Sequence, residues 1–212
     1  MSIGRTRIKI CGIQVPAHAR LAAEAGADAI GVVFHPASPR FVTIAQAAAV
    51  AAVLPPFVTV VGLFVNHDAN RVRETLAAVP LGLLQFHGDE PPDFCAQFGV
   101  PYVRAVRMGE GTDLVEYAGR FKGARALLVD AHVPGQPGGT GRVFDWSLIP
   151  RELPIPIILS GGLDAANVAR AVREVKPWAV DVSSGVESSR GTKDPARIVE
   201  FIRSVLSEDA SR

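Results

Sequence analysis

Two residues of this chain, Cys11 in "RIKICGI" and Asp130 in "ALLVD", could carry proton-transfer chemistry, since each ends an apolar, strand-like run. A thiol takes up a proton once it is a thiolate, and a carboxyl group gives one while it is protonated. A carboxylate that ends an apolar strand costs free energy unless it is paired, so Asp130 needs a reason for its position. Two plainer interpretations stay open: a buried structural thiol for Cys11, and capping or turn chemistry for Asp130.

Three polar residues could contact a ligand near this pair. Arg40 in "FHPASPRF" follows a strand-like run, and its forked guanidinium suits a carboxylate, although a solvated surface arginine is the alternative. His87 in "QFHGDE" could line a site or merely bond a nearby turn. Asp181 lies between Val180 and Val182, so we expect it to point inward, where either a structural partner or a substrate would meet its charge.

Two glycine- and serine-rich turns indicate a phosphate site. "LSGGLDAANV" places Gly161 and Gly162 before a helix pattern, and "DVSSGVESSRGTKD" places Ser183, Ser184 and Gly185 after the last strand-like run. Backbone N–H groups at such turns bind phosphate in many barrels, and glycine lets the oxygens approach closely. Either turn alone could be purely conformational. Together they favour a small phosphorylated ligand.

Eight apolar runs recur along the chain, and helix-like patterns separate them. The runs are Arg7–Cys11, Ala29–Phe34, Thr59–Val65, Leu81–Phe86, Pro101–Val106, Ala126–Asp130, Ile155–Ser160 and Ala179–Val182. Strands apolar on both faces that alternate with helices predict a parallel sheet covered by helices. We therefore expect a closed (β/α)₈ barrel forming a single domain over residues 1–212, with an open doubly wound sheet as the rival.

In such a barrel the strand ends share one rim, so the candidate residues converge there from position alone. The rim would bring together Cys11, Arg40, Asn66, His87, Asp130 and the turn from Ser183 to Gly185. The Gly- and Pro-rich connection from Ala131 to Arg142 could act as a lid over this rim, or could be an unspecialised flexible loop.

The helix patterns carry their own boundaries. Ala17, Leu21 and Ala25 share a fourfold spacing that predicts the sheet-facing stripe of the first helix, and Gly26 is expected to end it. Candidate N-caps are Thr43, Asp68 and Asp164.

Composition excludes several classes of function. The 212 residues carry a formal net charge of +1, which gives no electrostatic footprint for nucleic acid or an anionic membrane surface. No apolar run approaches the roughly 20 residues of a membrane span, and the first ten residues do not resemble a signal peptide. The chain has two cysteines and no C-x-x-C or histidine cluster, so we expect no bound metal. We expect both thiols to be reduced, which indicates a cytoplasmic location, and Cys95 to be a small buried hydrophobic residue.

The motifs together resemble phosphoribosylanthranilate isomerase, the (β/α)₈ enzyme family of tryptophan biosynthesis. The matching stretches run in order from Lys9 to Asp194: "KICGI", "GVVF", "SPR", "VGLFVN", "QFHGDE", "LLVD", "GGTGRVFDW", "LSGGLDAANV", "DVSSGVE" and "GTKD". Departures are Phe86, where leucine is common, and the stretch just before Arg40.

The resemblance implies an Amadori rearrangement of N-(5-phosphoribosyl)anthranilate without cofactor or metal. It implies Cys11 as general base, Asp130 as general acid, Arg40 as partner of the anthranilate carboxylate, and His87 and Asp181 lining the site. It also implies that the phosphate is held by Gly161, Gly162, Ser184 and Gly185, with Ser183 close by. Cys11 would act as a thiolate, and we expect local dipoles and cations to favour that form.

Three other functions are weighed against this one. A histidine-pathway ribonucleotide isomerase resembles the fold and reaction but uses an aspartate base, so Cys11 counts against it. A barrel that binds a sugar phosphate without catalysis would show saturable binding and no turnover. A thiol-redox protein is disfavoured because no resolving cysteine lies near Cys11 in sequence. The oligomeric state, monomer or homodimer, stays open.

Overall fold

Eight parallel strands close into a barrel in the computed structural model, which describes residues 4–109, 111–131 and 144–211. The strands are β1 (Arg7–Cys11), β2 (Ala29–Val33), β3 (Thr59–Phe64), β4 (Leu83–Phe86), β5 (Tyr102–Met108), β6 (Leu127–Ala131), β7 (Ile157–Leu159) and β8 (Ala179–Val182). Strand β1 pairs with β2 through Lys9 opposite Ala29, and with β8 through Arg7 opposite Ala179. This closure confirms the predicted barrel and excludes the open sheet.

Helices cover the outside of the barrel. They are α1 (Pro16–Ala25), α2 (Ile44–Ala51), α3 (Ala69–Ala78), α4 (Pro92–Ala96), α5 (Leu114–Arg120), α6 (Val168–Val175) and α7 (Pro195–Ala210). Eight helix patterns were expected, but residues 144–156, the described part of the connection from β6 to β7, contain only a short 3₁₀ turn at Trp146–Leu148. The expected lid, Ala131 to Arg142, lies outside the described residues except for Ala131.

Side-chain caps fix where several helices begin. The Thr43 hydroxyl accepts a hydrogen bond from the Gln46 N–H at 3.2 Å, while the Gln46 side chain accepts one from the Thr43 N–H at 2.8 Å, a complete capping box for α2. Asp68 caps α3 by accepting from the Arg71 N–H at 2.9 Å. Asp164 instead caps the turn before α6, whose own N-cap is Asn167.

The sheet-facing stripe predicted for helix α1 is wrong in part. Its buried residues are Ala19 and Ala22, whereas Ala17 is exposed and Leu21 is half-buried. A fourfold spacing drifts around a helix of 3.6 residues per turn, so it does not stay on the face that meets the sheet. Gly26 ends α1 as predicted, with φ of 113° in the left-handed region.

The barrel interior below the carboxyl ends of the strands is filled with apolar side chains, which close the bottom of the pocket at those ends. Small and branched side chains fill it, among them Val103, Ala105, Leu128, Ile158 and Ala179. A larger apolar layer lies between the outer faces of the strands and the helices. This filled interior leaves no channel through the described part of the barrel, so a ligand of the barrel interior would bind at its carboxyl end.

Beyond β8 the chain adds elements that the sequence did not predict. A 3₁₀ turn at Ser184–Val186 leads into an antiparallel hairpin of β9 (Glu187–Ser189) and β10 (Thr192–Lys193). Across the described residues, none of the helices combines the length and the apolar character that crossing a membrane requires.

Candidate active site

One pocket at the carboxyl ends of the strands collects nine of the ten predicted site residues. These are Cys11, Arg40, His87, Asp130, Gly161, Gly162, Asp181, Ser183 and Ser184. The sequence did not single out Gln85 and Ser160, which also line the pocket. Gly185 does not line it.

Cys11 is the last residue of β1 and is 4% exposed. Burial raises the pKa of the Cys11 thiol above its ordinary value; the positive charges of Lys9 and Lys193 oppose this, and the negative charge of Asp181 adds to it. The cations expected to favour the thiolate are therefore present, but burial outweighs them, and the net shift of the Cys11 pKa is against the thiolate.

Asp130 belongs to β6 and is 5% exposed. One carboxyl oxygen accepts a hydrogen bond from the adjacent Ala131 N–H at 2.9 Å, so part of the turn interpretation holds. The other oxygen lies 3.4 Å from Nε2 of His87, on the pocket side. Asp130 therefore has both a local structural bond and a titratable neighbour across the pocket.

His87 is held from β4 by a residue that the sequence analysis missed. The Gln85 side-chain amide nitrogen lies 3.1 Å from Nδ1 of His87. Among the described residues, the Gln85 amide oxygen and His87 Nε2 are buried without a hydrogen-bond partner. Buried polar atoms in this state are available to a ligand. A polar side chain in the otherwise apolar "LLQF" run was the available signal.

Arg40 uses one edge of its guanidinium within the protein. Its Nε and Nη2 donate to the two carboxylate oxygens of Glu187 at 2.6 and 3.0 Å. The predicted fork-to-carboxylate pairing thus exists with Glu187, and a ligand carboxylate would have to meet the other edge. The Arg40 side chain crosses Gly12 so closely that a Cβ there would lie 2.6 Å from its Cδ, which explains the glycine after Cys11.

Asp181 has a structural partner inside the barrel. The Lys9 ammonium lies 2.7 Å from one carboxylate oxygen, and the Ser160 hydroxyl donates to the other at 3.1 Å. Asp181 therefore faces inward to a structural partner, as one expectation had it, and it also borders the pocket, where contact with a substrate stays a prediction.

Glu187 joins the candidate site to the hairpin. Lys193 donates to Glu187 at 2.8 Å and to the Ser183 carbonyl at 2.8 Å. Burial alone would raise the pKa of Glu187, but hydrogen bonds from Arg40 and Lys193 lower it to about 2. Neither Glu187 nor Lys193 was predicted as a site residue, although "DVSSGVE" and "GTKD" contain them.

The loops after β7 and β8 meet each other at their glycines. Gly161 and Gly162 have φ of 82° and 67°, the left-handed region that glycine adopts readily. A Cβ at Gly185 would lie 1.9 Å from the Leu163 carbonyl oxygen, so this glycine lets the loops pack together. Its contribution is to the shape of the site rather than to its lining.

No cluster of three or more His, Cys, Asp or Glu side chains that could hold a metal ion is found among the residues that the structure describes. The polar chemistry of the described pocket consists of a thiol, a carboxyl group, an imidazole, buried ion pairs, and backbone and hydroxyl donors.

A closed barrel with proton-transfer groups and glycine-rich loops at the carboxyl ends of its strands has the architecture of (β/α)₈ enzymes. Residues 8–204 match the family model of N-(5'-phosphoribosyl)anthranilate (PRA) isomerase, and the chain belongs to this family.

Individual proteins agree with this assignment. The N-(5'-phosphoribosyl)anthranilate isomerase of Pseudomonas putida is 55% identical over 203 residues, spanning 96% of this chain and 98% of its own. The crystal structure of phosphoribosyl anthranilate isomerase from Thermotoga maritima has a TM-score of 0.88 at 38% identity, covering 95% of this chain and 99% of that one. A structure of the enzyme in complex with reduced 1-(o-carboxyphenylamino)-1-deoxyribulose 5-phosphate has a TM-score of 0.84 at 37% identity, with the same coverage.

Proposed function

We propose that Cys11 is the general base and Asp130 the general acid of the reaction that this chain catalyses as a family member. That reaction is the Amadori rearrangement of N-(5-phosphoribosyl)anthranilate to 1-(2-carboxyphenylamino)-1-deoxyribulose 5-phosphate in tryptophan biosynthesis. The observation that carries the proposal is the placement of the two residues on either side of the loops after β7 and β8, since these strands lie between β6, which bears Asp130, and β1, which ends in Cys11. The roles follow from chemistry, because a carboxyl group can give a proton to the ring oxygen and a thiolate can remove one from carbon. A phosphate held by the loops after β7 and β8 would place the sugar between acid and base.

The two groups act in sequence. The Asp130 carboxyl proton goes to the furanose ring oxygen as the C1′–O bond breaks, which leaves a ring-opened Schiff base. The Cys11 thiolate then removes the C2′ proton, and the C2′–H electrons form the enolamine. Tautomerisation of the enolamine gives the ketone.

The other site residues bind the substrate. Gly161, Gly162, Ser183 and Ser184 offer backbone N–H groups and hydroxyls to the phosphate, while Gly185 holds their loops together. The free edge of Arg40 faces the anthranilate carboxylate.

His87 and Asp181 complete the wall of the pocket. The proposed reaction needs neither metal nor cofactor. The cytoplasmic location and the single domain stay predictions. The oligomeric state, monomer or homodimer, stays open.

Turnover of N-(5-phosphoribosyl)anthranilate, followed by loss of the anthranilate signal, tests the proposal with Cys11→Ala and Asp130→Asn. Because general acid–base catalysis contributes about 10²- to 10⁴-fold, each variant should lose activity by that order. Cys95→Ala is the matched control, since Cys95 is buried outside the pocket and burial raises its pKa to about 12.

Undiminished turnover in Cys11→Ala would be consistent with the isomerase activity but would show that Cys11 is not the general base. Saturable ligand binding by the unaltered protein without any turnover would favour the non-catalytic barrel.

A further inference from the structure

Two lysine side chains that the proposed mechanism does not use lie buried beside Cys11. Lys9 is 5% exposed and Lys193 is 4% exposed. Lysine is almost never fully buried unless it is paired. Removing an ammonium group from water costs on the order of several kcal/mol. Each lysine is paired with a carboxylate, which accounts for its burial, and the placement of both ion pairs beside one thiol is what remains to be explained.

Lys9 approaches Cys11 from the barrel interior. It precedes Cys11 by two residues on β1, so both side chains point to the same face of the strand. Gly31 lies opposite Cys11 in the register, and a Cβ there would lie 2.8 Å from Cys11 Sγ and 3.2 Å from Lys9 Cε. The two side chains thus share the space above Gly31, with the Lys9 ammonium anchored 2.7 Å from Asp181.

Lys193 lies on the other side, in strand β10 of the hairpin that follows β8. Its ammonium donates to the Ser183 carbonyl at 2.8 Å, and the Ser183 hydroxyl donates to the Cys11 carbonyl at 3.2 Å. Glu187 anchors the same ammonium at 2.8 Å, and Arg40 occupies both oxygens of Glu187. The two lysines therefore lie near Cys11 on separate elements and have separate carboxylate partners.

The charged groups on this side of the pocket do not balance. The cations are Lys9, Arg40 and Lys193, and the carboxylates are Asp181 and Glu187. Asp130 and His87 contact each other on the opposite wall, and His35 lies at the mouth. Among the described residues, this side thus holds one more cation than carboxylates. The substrate carboxylate proposed for Arg40 would supply a negative charge when bound, and a thiolate at Cys11 would supply one in its absence.

We propose that Lys9 and Lys193 are positioning residues that stabilise the thiolate form of Cys11. A stabilised thiolate would serve catalysis only if Cys11 is the base, so the inference rests on the proposed function. The test below measures the thiolate itself and does not require that role. Burial raises the pKa of the thiol, and the two ammonium charges limit that rise, whereas Asp181 acts in the opposite direction. An opposite charge within about 4–6 Å favours the charged form of a group by roughly 1–3 pKa units.

The test is the rate of Cys11 alkylation by iodoacetamide from pH 6 to 10, measured on the ligand-free protein in a Cys95→Ala background. Lys193→Met should slow alkylation at pH 7.5 about tenfold, the equivalent of one pKa unit. Glu187 keeps Arg40 and the Gly191 N–H as partners, so this variant should fold.

Two further variants fix the sign of the effect. Lys9→Met should slow alkylation in the same way, and Asp181→Asn should accelerate it, because it removes the anion while leaving an oxygen for Lys9. Lys122→Met, on an exposed turn, is the matched control and should leave the profile unchanged.

An unchanged alkylation profile in either lysine variant overturns the proposal for that lysine, whatever happens to turnover. Reduced turnover with an unchanged profile would assign the lysine to substrate binding instead and likewise overturn the proposal. Failure of the proposed function is detected by a different experiment, because turnover would then persist in Cys11→Ala.

Discussion

Gln85 places an amide on the inner face of β4, where it meets Nδ1 of His87 at 3.1 Å. With the amide donating, Nδ1 is the acceptor and the imidazole proton is on Nε2, 3.4 Å from the Asp130 carboxylate oxygen. In that arrangement the Gln85 amide fixes the tautomer of the histidine beside Asp130. We therefore expect Gln85 to orient His87 toward Asp130.

Gln85→Met keeps the length of the side chain and removes the amide. We expect kcat/KM to fall about tenfold, the size of one hydrogen bond of about 1.4 kcal/mol, because His87 loses the partner that orients it. The free energy of unfolding should fall by less than this, because removing the buried Gln85 amide oxygen, which lacks a partner among the described residues, offsets part of the lost hydrogen bond.

Steady-state kinetics and urea denaturation of the same preparation measure the two quantities. Gln97→Met, at the end of α4 and exposed, is the control and should change neither. Equal losses of activity and stability would show that Gln85 is only structural.

At the scale of elements, the connections after β7 and β8 shape the side of the pocket where we propose that phosphate binds. They touch at Gly185, where the 3₁₀ turn at Ser184–Val186 passes the Leu163 carbonyl. The hairpin of β9 and β10 then packs on the connection after β2, since a Cβ at Gly191 would lie 2.7 Å from the Pro39 carbonyl oxygen. The arrangement requires backbone approaches that only glycine permits.

Gly185→Ala should therefore lower both stability and phosphate affinity. A Cβ 1.9 Å from the Leu163 carbonyl forces the loops apart, and overpacking of this kind costs roughly 1–3 kcal/mol. Gly119→Ala in α5 is the matched control, because no atom lies within 4 Å of its added Cβ and alanine favours a helix by roughly 0.5–1 kcal/mol.

Inorganic phosphate titration and thermal unfolding of both variants measure the difference. A Gly185→Ala protein as stable as the Gly119→Ala protein, with unchanged phosphate affinity, would contradict this account of the loops.

Elements with a strong periodic signal were predictable, and those defined by distant partners were not. Strands β1 and β8 have the predicted bounds, whereas β5 continues to Met108, because hydrophobicity does not show where a hydrogen-bonded ladder ends. The hairpin after β8 was missed because its residues are mostly polar and exposed. No apolar pattern indicates such a segment.

The same division holds for the candidate site. Its rim residues were predictable because a barrel brings strand ends together, and nine of ten line one pocket. The buried ion pairs were not, because Lys9 and Asp181 are 172 positions apart and Arg40 and Glu187 are 147 apart. Local sequence shows a charged residue in an apolar run without showing its partner.

At the scale of the whole molecule, Glu187 links three parts of the barrel rim through one carboxylate. It holds Arg40 after β2, the Gly191 N–H in the hairpin, and Lys193, which in turn holds the loop after β8. A carboxylate with this many donors is far more stable ionised than protonated. Global stability should therefore depend on the ionisation of this group.

The pH dependence of unfolding tests this link. The folded-state pKa of Glu187 is about 2, below its ordinary value of 4.5, so its contribution is complete above pH 4.5 and is lost as the pH falls toward 2. We expect the free energy of unfolding of the unaltered protein to exceed that of Glu187→Gln at pH 6, and this difference to shrink by about 2 kcal/mol at pH 3.

Urea denaturation at both pH values measures it, with Glu74→Gln as control, because Glu74 pairs with Arg71 on the exposed surface. A difference that stays constant with pH would show that Glu187 contributes by shape and neutral hydrogen bonds alone. The Arg40–Glu187–Lys193 cluster would then not be the electrostatic link across the rim.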